Sequence, residues 1–263
     1  MIRRFNRFEL KYVVPASTRD AFIDELRAHV SSDPEGGPSG LYAVTSLYYD
    51  SPDRSCFRAK LDGVRYRRKL RIRRYGDGAE PSPLAMVEIK QRIGRTTQKR
   101  RLAVRLSDAY RLCAGGGGMR WHDLHDAAVA GEVEWLVRAL SLRPTCVIGY
   151  RRQAFVGSRY EPGLRITLDQ GLWSSAPGDG LSGGTTRHTF LPPQLLILEV
   201  KANDAVPLWV SRLLARHHCA LSRYSKYCEG LMRLPEPGQW PSGAGDPSAE
   251  PRAPSAPEEK AHG

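Results

Sequence analysis

The sequence predicts an α+β fold in which an antiparallel β-barrel of about eight strands has helices packed outside it. Three observations lead to this class. Strand-like segments follow one another mostly in hairpin order, as in an antiparallel sheet. Nearly every such segment carries charged residues at alternate positions. The segment 195–202 is strongly apolar although it contains Glu199 and Lys201, which suits a strand with its charged face inside a barrel and helices over its apolar face.

The most informative strand is 65–74, Arg-Tyr-Arg-Arg-Lys-Leu-Arg-Ile-Arg-Arg. Positions 65, 67, 69, 71 and 73 are all basic, whereas positions 66, 70 and 72 are apolar. Alternate side chains of a strand point to opposite faces, so these basic residues share one face. Such a face is either solvated or directed into a cavity that binds an anion.

The remaining elements of the N-terminal half alternate between strands and short connections. Charge alternation predicts a strand at 5–14, and Pro15 begins a helix whose apolar spacing continues to about residue 30. A Gly/Pro/Ser loop at 31–40 leads to a strand at 44–50, and Ser51-Pro52 begins a short helix that ends near 61. After the basic strand we predict turns at 76–83 and 93–95, with antiparallel strands at 84–92 and 96–104.

The C-terminal half contains more helices. A short helix begins at Ser107 and stops at the glycine run 115–118, and a longer one covers about 123–140. Strands are predicted at 144–156, 164–169 and 195–202, with a Gly/Ser-rich loop at 174–190. Helices follow at 207–217 and 225–231. We therefore predict one domain over 1–234 and a disordered Pro/Gly/Ala-rich tail over 235–263.

The charge of the chain indicates a polyanionic partner. Its net charge is +12, and the tail contains five acidic and two basic residues, which leaves residues 1–234 at +15. The five cysteines are dispersed without a CxxC pair, which favours reduced thiols in a cytoplasmic protein. No stretch approaches about 20 apolar residues, so we expect no membrane span.

Acids and bases share strand faces in three pairs, Glu9/Lys11, Glu88/Lys90 and Glu199/Lys201. Pairing reduces the cost of burying such groups, so any single pair could be structural. Together with the basic strand, they favour a lumen that binds a phosphate chain through Arg and Lys donors. The few carboxylates would then hold Mg²⁺ or Mn²⁺, which binds one or two protein carboxylates plus substrate phosphates and orients a phosphoryl group for transfer.

Eight short motifs in one order carry a family resemblance. They are Phe8-Glu9-Leu10-Lys11-Tyr12, Ser46-Leu47-Tyr48-Tyr49-Asp50, Lys69-Leu70-Arg71-Ile72-Arg73, Glu88-Ile89-Lys90, Tyr150-Arg151-Arg152, Arg165-Ile166-Thr167-Leu168-Asp169, Leu198-Glu199-Val200-Lys201 and Ser225-Lys226-Tyr227. The series resembles the VTC domain, the polyphosphate polymerase domain of the vacuolar transporter chaperone family, within the CYTH-like triphosphate tunnel metalloenzymes. The resemblance implies an antiparallel tunnel that binds ATP or another triphosphate with Mn²⁺ or Mg²⁺ and passes the γ-phosphate to polyphosphate.

The resemblance also implies roles for residues that match the family's motifs. The resulting phosphoryl-transfer residues are Lys11, Arg71, Arg73, Lys90, Arg152 and Lys226. The substrate-binding residues are Tyr150, Arg165, Lys201, Arg223, Ser225 and either Lys99 or Arg100. Glu199 matches the metal-binding glutamate, and Glu9 and Glu88 are further candidate metal ligands. Arg223 stands where the polymerase has a lysine.

Alternatives from other classes remain. Arg7 occupies the place of the first acid in the E-x-E-x-K motif of CYTH triphosphatases, which favours the polymerase type over an inorganic or nucleoside triphosphatase. A non-catalytic polyphosphate-binding protein or a nucleic-acid-binding protein also suits the basic charge. Carboxylates on the same faces would repel a nucleic-acid backbone, so we expect no nucleic acid. The sequence shows no match to the SPX domain or the membrane segments of the eukaryotic complex, so a membrane-protein partner is possible. The oligomeric state stays open.

Overall fold

The computed structural model describes residues 7–76, 84–94, 96–121, 123–178, 180–182, 186–203 and 205–235. Its strands form one sheet of ten. They are β1 (Arg7–Pro15), β2 (Val30–Ser32), β3 (Leu41–Asp50), β4 (Tyr66–Tyr75), β5 (Leu84–Ile93), β6 (Thr96–Arg105), β7 (Arg143–Gly157), β8 (Arg165–Ser175), β9 (His188–Thr189) and β10 (Leu195–Asn203). The main path runs β1-β10-β8-β7-β3-β4-β5-β6, while β2 pairs with β7 and β9 with β8.

Within the described residues, six α-helices connect or cover these strands. They are α1 (Arg19–Leu26), α2 (Ser55–Leu61), α3 (Leu106–Cys113), α4 (Leu124–Ala139), α5 (Leu208–Arg216) and α6 (Lys226–Leu231). Short 3₁₀ turns lie at Ala16–Thr18, Pro34–Ser39 and Gly180–Ser182. Within the described ranges, no helix is long and apolar enough to cross a membrane.

The sheet curls until strands from distant positions face each other. β1 is one edge of the path and β5 lies near the other, yet the carboxylate of Glu9 on β1 and the ammonium of Lys90 on β5 are 2.6 Å apart. The free edge of β1 receives a hydrogen bond from the backbone N–H of Ser222 to the carbonyl of Lys11 at 2.7 Å. The result is an antiparallel half-barrel with a lumen, and neighbouring strands along the main path pair antiparallel.

The outer faces of the strands are apolar and covered by helices. Leu196, Leu198 and Val200 of β10 pack with residues of α1 and α5, and Leu70 and Ile72 of β4 pack with residues of α3 and α4. Each fully buried aliphatic side chain of this kind contributes about 1.5–3 kcal/mol relative to exposure. The apolar set at alternate positions therefore holds the barrel from outside and leaves the charged set facing the lumen.

The last helix, α6, packs against the inner face of the sheet. Tyr227 and Leu231 belong to an apolar cluster with the lumen-facing Tyr48 and Ile148. The Tyr227 hydroxyl donates to the carboxylate of Asp50, which also accepts the backbone N–H groups at the start of α2. This cluster occupies part of the lumen and brings Lys226 among the charged strand residues.

The predicted barrel with external helices is confirmed, with some differences in the elements. The helix predicted over 15–30 is shorter, because Val30–Ser32 forms β2 against β7. β8 continues to Ser175, since Gly171 adopts a positive φ of 61° that lets the strand resume after an irregularity in its pairing. The predicted tail after Pro235, residues 5–6 of the first strand and residues 77–83 of the first turn lie outside the described residues.

Candidate functional site

The lumen is lined by the alternating charged residues of the strands. On β1, β5 and β10 the lining positions are those of Glu9, Lys90 and Lys201, which follow from the pairing registers. Bases outnumber acids on this lining. The bases are Lys11, Lys69, Arg71, Arg73, Lys90, Lys99, Arg152, Arg165, Lys201 and Lys226, and the acids are Glu9, Glu88, Asp169 and Glu199.

Glu199 has more cationic partners than any other acid of this lining. It is buried, and its carboxylate lies 2.7 Å from the ammonium of Lys226 and 3.1 Å from that of Lys201. Lys11 lies 3.5 Å away and Arg152 3.9 Å away. β1, β10, β7 and α6 therefore each contribute a charged group to one cluster.

Asp169 on β8 forms the second part of this cluster. It is 0% exposed and accepts two hydrogen bonds from the guanidinium of Arg152, at 2.7 and 2.8 Å. The ammonium of Lys226 lies 2.7 Å from the same carboxylate. This bidentate geometry fixes the plane of the Arg152 guanidinium.

Glu88 on β5 organises a separate group of cations. It is 1% exposed and accepts a hydrogen bond from the Nε of Arg71 at 2.7 Å. Arg73 lies 3.9 Å from it, and Lys99 forms a close ion pair with it. Arg71 and Arg73 also donate to the hydroxyls of neighbouring strand residues, namely Tyr48, Ser46 and Tyr150.

The pKa values of the lumen acids are set by a balance of two causes. Burial alone would raise the pKa of Glu9, Glu88 and Glu199, but the neighbouring cations outweigh burial and hold each pKa below its usual range. Burial would also raise the pKa of Asp169, but the neighbouring cations, chiefly Arg152, lower that pKa below its usual value. These four carboxylates are therefore ionised at pH 7.

The lysines of the lumen differ in their proton affinity. Burial lowers the pKa of Lys99 to about 7, although Glu88 beside it opposes the change. Burial also lowers the pKa of Lys201 to about 8 against the effect of Glu199. At Lys226 the carboxylates of Asp169 and Glu199 outweigh burial and raise the pKa. Lys226 is consequently a fixed positive charge, whereas Lys99 changes its charge near neutral pH.

The structure brings most of the sequence-predicted site residues together. Arg165 lies at the β8 end of the lining, where it donates to the Tyr42 hydroxyl at 2.8 Å and pairs with Asp33. Ser225 caps α6 by accepting the backbone N–H of Cys228 at 3.4 Å. Those that share the lumen are Lys11, Arg71, Arg73, Lys90, Lys99, Tyr150, Arg152, Arg165, Lys201, Ser225, Lys226, Glu9, Glu88 and Glu199.

Two predicted residues lie elsewhere. Arg100 is on the outer face of β6, where its guanidinium donates to Glu132 of α4 at 2.5 Å and to Gln91 at 2.6 Å. The register places Lys99 opposite Lys90 on the inner face, so Lys99 is the member of the alternative pair that reaches the lumen. Arg223 is exposed on the segment before α6 and makes no ion pair within the described ranges.

Sequence reasoning did not assign roles to Asp169, Tyr48 or Lys69. Asp169 carried a usable signal, because it alternates with Arg165 and Thr167 on one strand face. Lys69 carried one too, as part of the basic strand. The sequence gives no such signal for Tyr48, because an aromatic residue in a strand most often packs in the hydrophobic core.

The residues present fit a divalent cation at one place. The ammonium of Lys11 lies between two carboxylates, 3.8 Å from Glu9 and 3.5 Å from Glu199. A hard cation bound there would have the one or two protein carboxylates that Mg²⁺ usually has, with phosphates as further ligands. Glu88 fits less well, because among the described residues no second carboxylate shares its cationic partners, whereas Glu9 and Glu199 share Lys11. Among the described residues, no group of three or more His, Cys, Asp or Glu side chains forms a metal cage.

The fold and this lining define a class of protein, an antiparallel half-barrel with helices outside it and a basic lumen. The comparison with family models identifies the family: the VTC domain model matches residues 6–234. The chain therefore belongs to the VTC domain family. No curated protein matches it.

Several solved structures resemble the chain at low similarity. PH1819 from Pyrococcus horikoshii is 13% identical, covers 86% of this chain and 98% of its own, and has a TM-score of 0.43. A proposed adenylate cyclase from Bacillus halodurans is 14% identical over 82% and 92%, with a TM-score of 0.47. HpAC1 from Hippeastrum, for which a dominant triphosphatase activity is recorded, is 14% identical over 88% and 98%, with a TM-score of 0.44. At this level they carry no argument about function.

Proposed function

We propose that this protein transfers a phosphoryl group from a triphosphate inside the lumen, and that its reaction is polyphosphate synthesis from ATP. The observation that carries the proposal is the excess of buried or half-buried bases over acids on one continuous inner surface. Burying cations without matching anions is unfavourable, so the lumen is built to receive a strongly charged anion. A phosphate chain supplies several charges in a row.

The contacts within the lumen suggest how the side chains act on such a chain. Arg71, Arg73 and Arg152 are already oriented by Glu88 and Asp169, so they keep their direction when phosphate arrives. Preorganised donors of this kind stabilise charge on the transferring group without reorganisation. Lys11, Lys90 and Lys201 sit around Glu9 and Glu199 and balance the phosphates nearest to them.

A divalent metal is part of the proposal. Glu199, with Glu9, would hold Mn²⁺ or Mg²⁺, and the bound ion would neutralise phosphate charge and orient the γ-phosphoryl group. Glu88 is better suited to orient Arg71, Arg73 and Lys99 than to bind the ion, because among the described residues no second carboxylate lies beside those partners. We therefore propose two metal ligands rather than three.

In the proposed reaction, a terminal oxygen of polyphosphate attacks the γ-phosphorus of ATP. The new P–O bond extends the chain by one phosphate, and the bond from the γ-phosphorus to the β-phosphate oxygen breaks to release ADP. Water in place of the chain would give ADP and phosphate, which is the triphosphatase reaction. The family membership favours the chain as acceptor.

The test is to incubate purified protein with ATP and Mn²⁺ and to measure acid-insoluble polyphosphate and free phosphate. We expect chain growth, its loss in Arg71→Ala, and its retention in Arg100→Ala, which removes a cation from the outer face of β6. Release of phosphate without chains would favour a triphosphatase instead. Absence of both products would contradict phosphoryl transfer.

A further inference from the structure

Four cations gather where β4 begins and β5 ends, beyond the carboxylates of the lumen. Arg67 and Arg92 are directly opposite each other in the β4–β5 register, and Lys69 is the next inward-facing residue of β4. Lys60 lies on α2, which packs on β4. We call Lys60, Arg67, Lys69 and Arg92 the mouth cluster.

The arrangement of this cluster opposes the stability of the fold. Like charges directly opposite each other on one sheet face are destabilising. The next row inward is also basic, since Lys69 faces Lys90, and Lys90 faces Lys99. In that row, however, Lys90 has Glu9 and Lys99 has Glu88 as an ion-pair partner.

The mouth cluster has no such partner among the residues that the structure describes. Arg67 donates to the carbonyl of Val64 at 2.6 Å, and Arg92 donates to the carbonyl of Gly94 at 2.9 Å. The Lys69 ammonium lies 3.4 Å from the Ser225 hydroxyl and 4.7 Å from the centre of the Tyr227 ring. All of these acceptors are neutral, so the charges of the cluster remain uncompensated.

Burial lowers the pKa of Lys60, and the charges of Arg67, Lys11 and Arg92 lower it further. Arg67 likewise has a pKa lowered by burial and by Arg92. These shifts agree with the geometry, because they report cations that lie close enough to repel one another. Such a group is stabilised by an anion that bridges its members.

We propose that the mouth cluster is a binding track for a linear phosphate chain that extends out of the lumen, an inference that rests on the proposed function. Arg67, Lys69, Arg71 and Arg73 follow one another on one face of β4, about 6.6–6.8 Å apart. The cluster thus continues the row of bases in the lumen without interruption. A bound triphosphate occupies the inner part of this row, and a longer chain reaches the outer part.

A phosphate chain suits this track better than single-stranded nucleic acid. Proteins that hold single strands combine bases with aromatic platforms on which nucleotides stack. Tyr66 and Ile93, which flank Arg67 and Arg92, alternate onto the opposite face of the sheet. Tyr227, whose ring lies beside Lys69, is buried in the apolar cluster around α6, so the accessible part of this face carries charges rather than stacking rings.

The test compares the affinities of two anions, tripolyphosphate and a polyphosphate chain many times longer, by titration calorimetry at low salt. The variant is Arg67→Ala/Arg92→Ala. The matched control is Arg120→Ala/Arg212→Ala, which removes two exposed arginines, one between α3 and α4 and one on α5, and leaves the same net charge as the first variant. We expect the first variant to bind the long chain about tenfold more weakly, the effect of two exposed ion pairs, with nearly unchanged tripolyphosphate affinity.

The control variant should bind both anions almost as the wild type does. The ligand-free melting temperature of Arg67→Ala/Arg92→Ala should equal or exceed that of the wild type, because a repulsive pair is removed. The proposed track would be contradicted if Arg67→Ala/Arg92→Ala weakened binding of both anions equally or left the affinity for the long chain unchanged. It would also be contradicted if the protein bound single-stranded RNA more tightly than polyphosphate of equal charge. Failure of wild-type protein to bind tripolyphosphate, with the long chain still dependent on Arg67 and Arg92, would contradict the proposed function and leave the track standing.

Discussion

Substitution of Asp169 by Asn tests whether the lumen is held together by its few acids. Asp169 is 0% exposed and joins two elements, because it accepts both hydrogen bonds of the Arg152 guanidinium and lies 2.7 Å from the ammonium of Lys226 on α6. Asn keeps the shape of the side chain and removes its charge. Arg152 and Lys226 would then stay buried with less negative charge beside them.

The expected cost follows from these contacts. Removing one partner of a buried ion pair typically destabilises a protein by about 3–5 kcal/mol. Glu199 remains 2.7 Å from Lys226 and 3.9 Å from Arg152, so it retains part of the compensation. We therefore expect the free energy of unfolding to fall by about 2–3 kcal/mol, at or below the lower end of the range for a fully broken buried pair. For a domain of this size, that loss lowers the melting temperature by roughly 4–12 °C.

The assay is unfolding at pH 7, with and without tripolyphosphate. The pKa of Asp169 is lowered in the folded state, so its stabilisation is present above the usual carboxyl pKa and is lost as the pH falls through the folded value. Tripolyphosphate should reduce the deficit of Asp169→Asn, because the bound anion replaces the missing charge. Asp108→Asn, which affects a surface ion pair with Arg111, is the control and should stay within about 0.5 kcal/mol of wild type. A deficit in Asp169→Asn no larger than that control, or one that tripolyphosphate does not reduce, would refute the reasoning.

Three further predictions concern individual lumen residues. Lys99→Ala should weaken tripolyphosphate binding about tenfold, as measured by calorimetry. Arg100→Ala should leave that affinity unchanged and lower the melting temperature, because the contact with Glu132 is lost. The reverse pattern would contradict the strand faces assigned to Lys99 and Arg100. Tripolyphosphate affinity should fall as the pH rises from 6 to 9, because Lys99 and Lys201 lose their protons near pKa values of about 7 and 8, and a flat profile would exclude both as phosphate contacts. Glu199→Gln should abolish metal-dependent turnover while metal-free tripolyphosphate still binds, and unchanged turnover would remove Glu199 as a metal ligand.

The inward direction of the charged strand faces could be predicted because it follows from a local rule. In a strand, charge at every second position implies one charged face, and the apolar remainder of β10 needs a cover. The choice between Lys99 and Arg100 could not be made in the same way. It depends on the register of β6 against β5 and on Glu132 of α4, which lies far along the chain.

The position of α6 also depended on distant contacts. An amphipathic segment of this length could cover the outside of a sheet as readily as enter the lumen. What holds it inside is the burial of Lys226 against Asp169 and Glu199, and the bond from Tyr227 to Asp50. β2 and β9 were missed because they are three and two residues long and owe their extended form to pairing with β7 and β8.

The central claim is that the lumen binds a phosphate chain. A crystal structure of the protein with tripolyphosphate tests it most directly. The account predicts phosphate oxygens within hydrogen-bond distance of Arg71, Arg73 and Arg152, with Arg71 still oriented by Glu88. Tripolyphosphate bound only on the outer surface, with the ion pairs of the lumen unchanged, would contradict it.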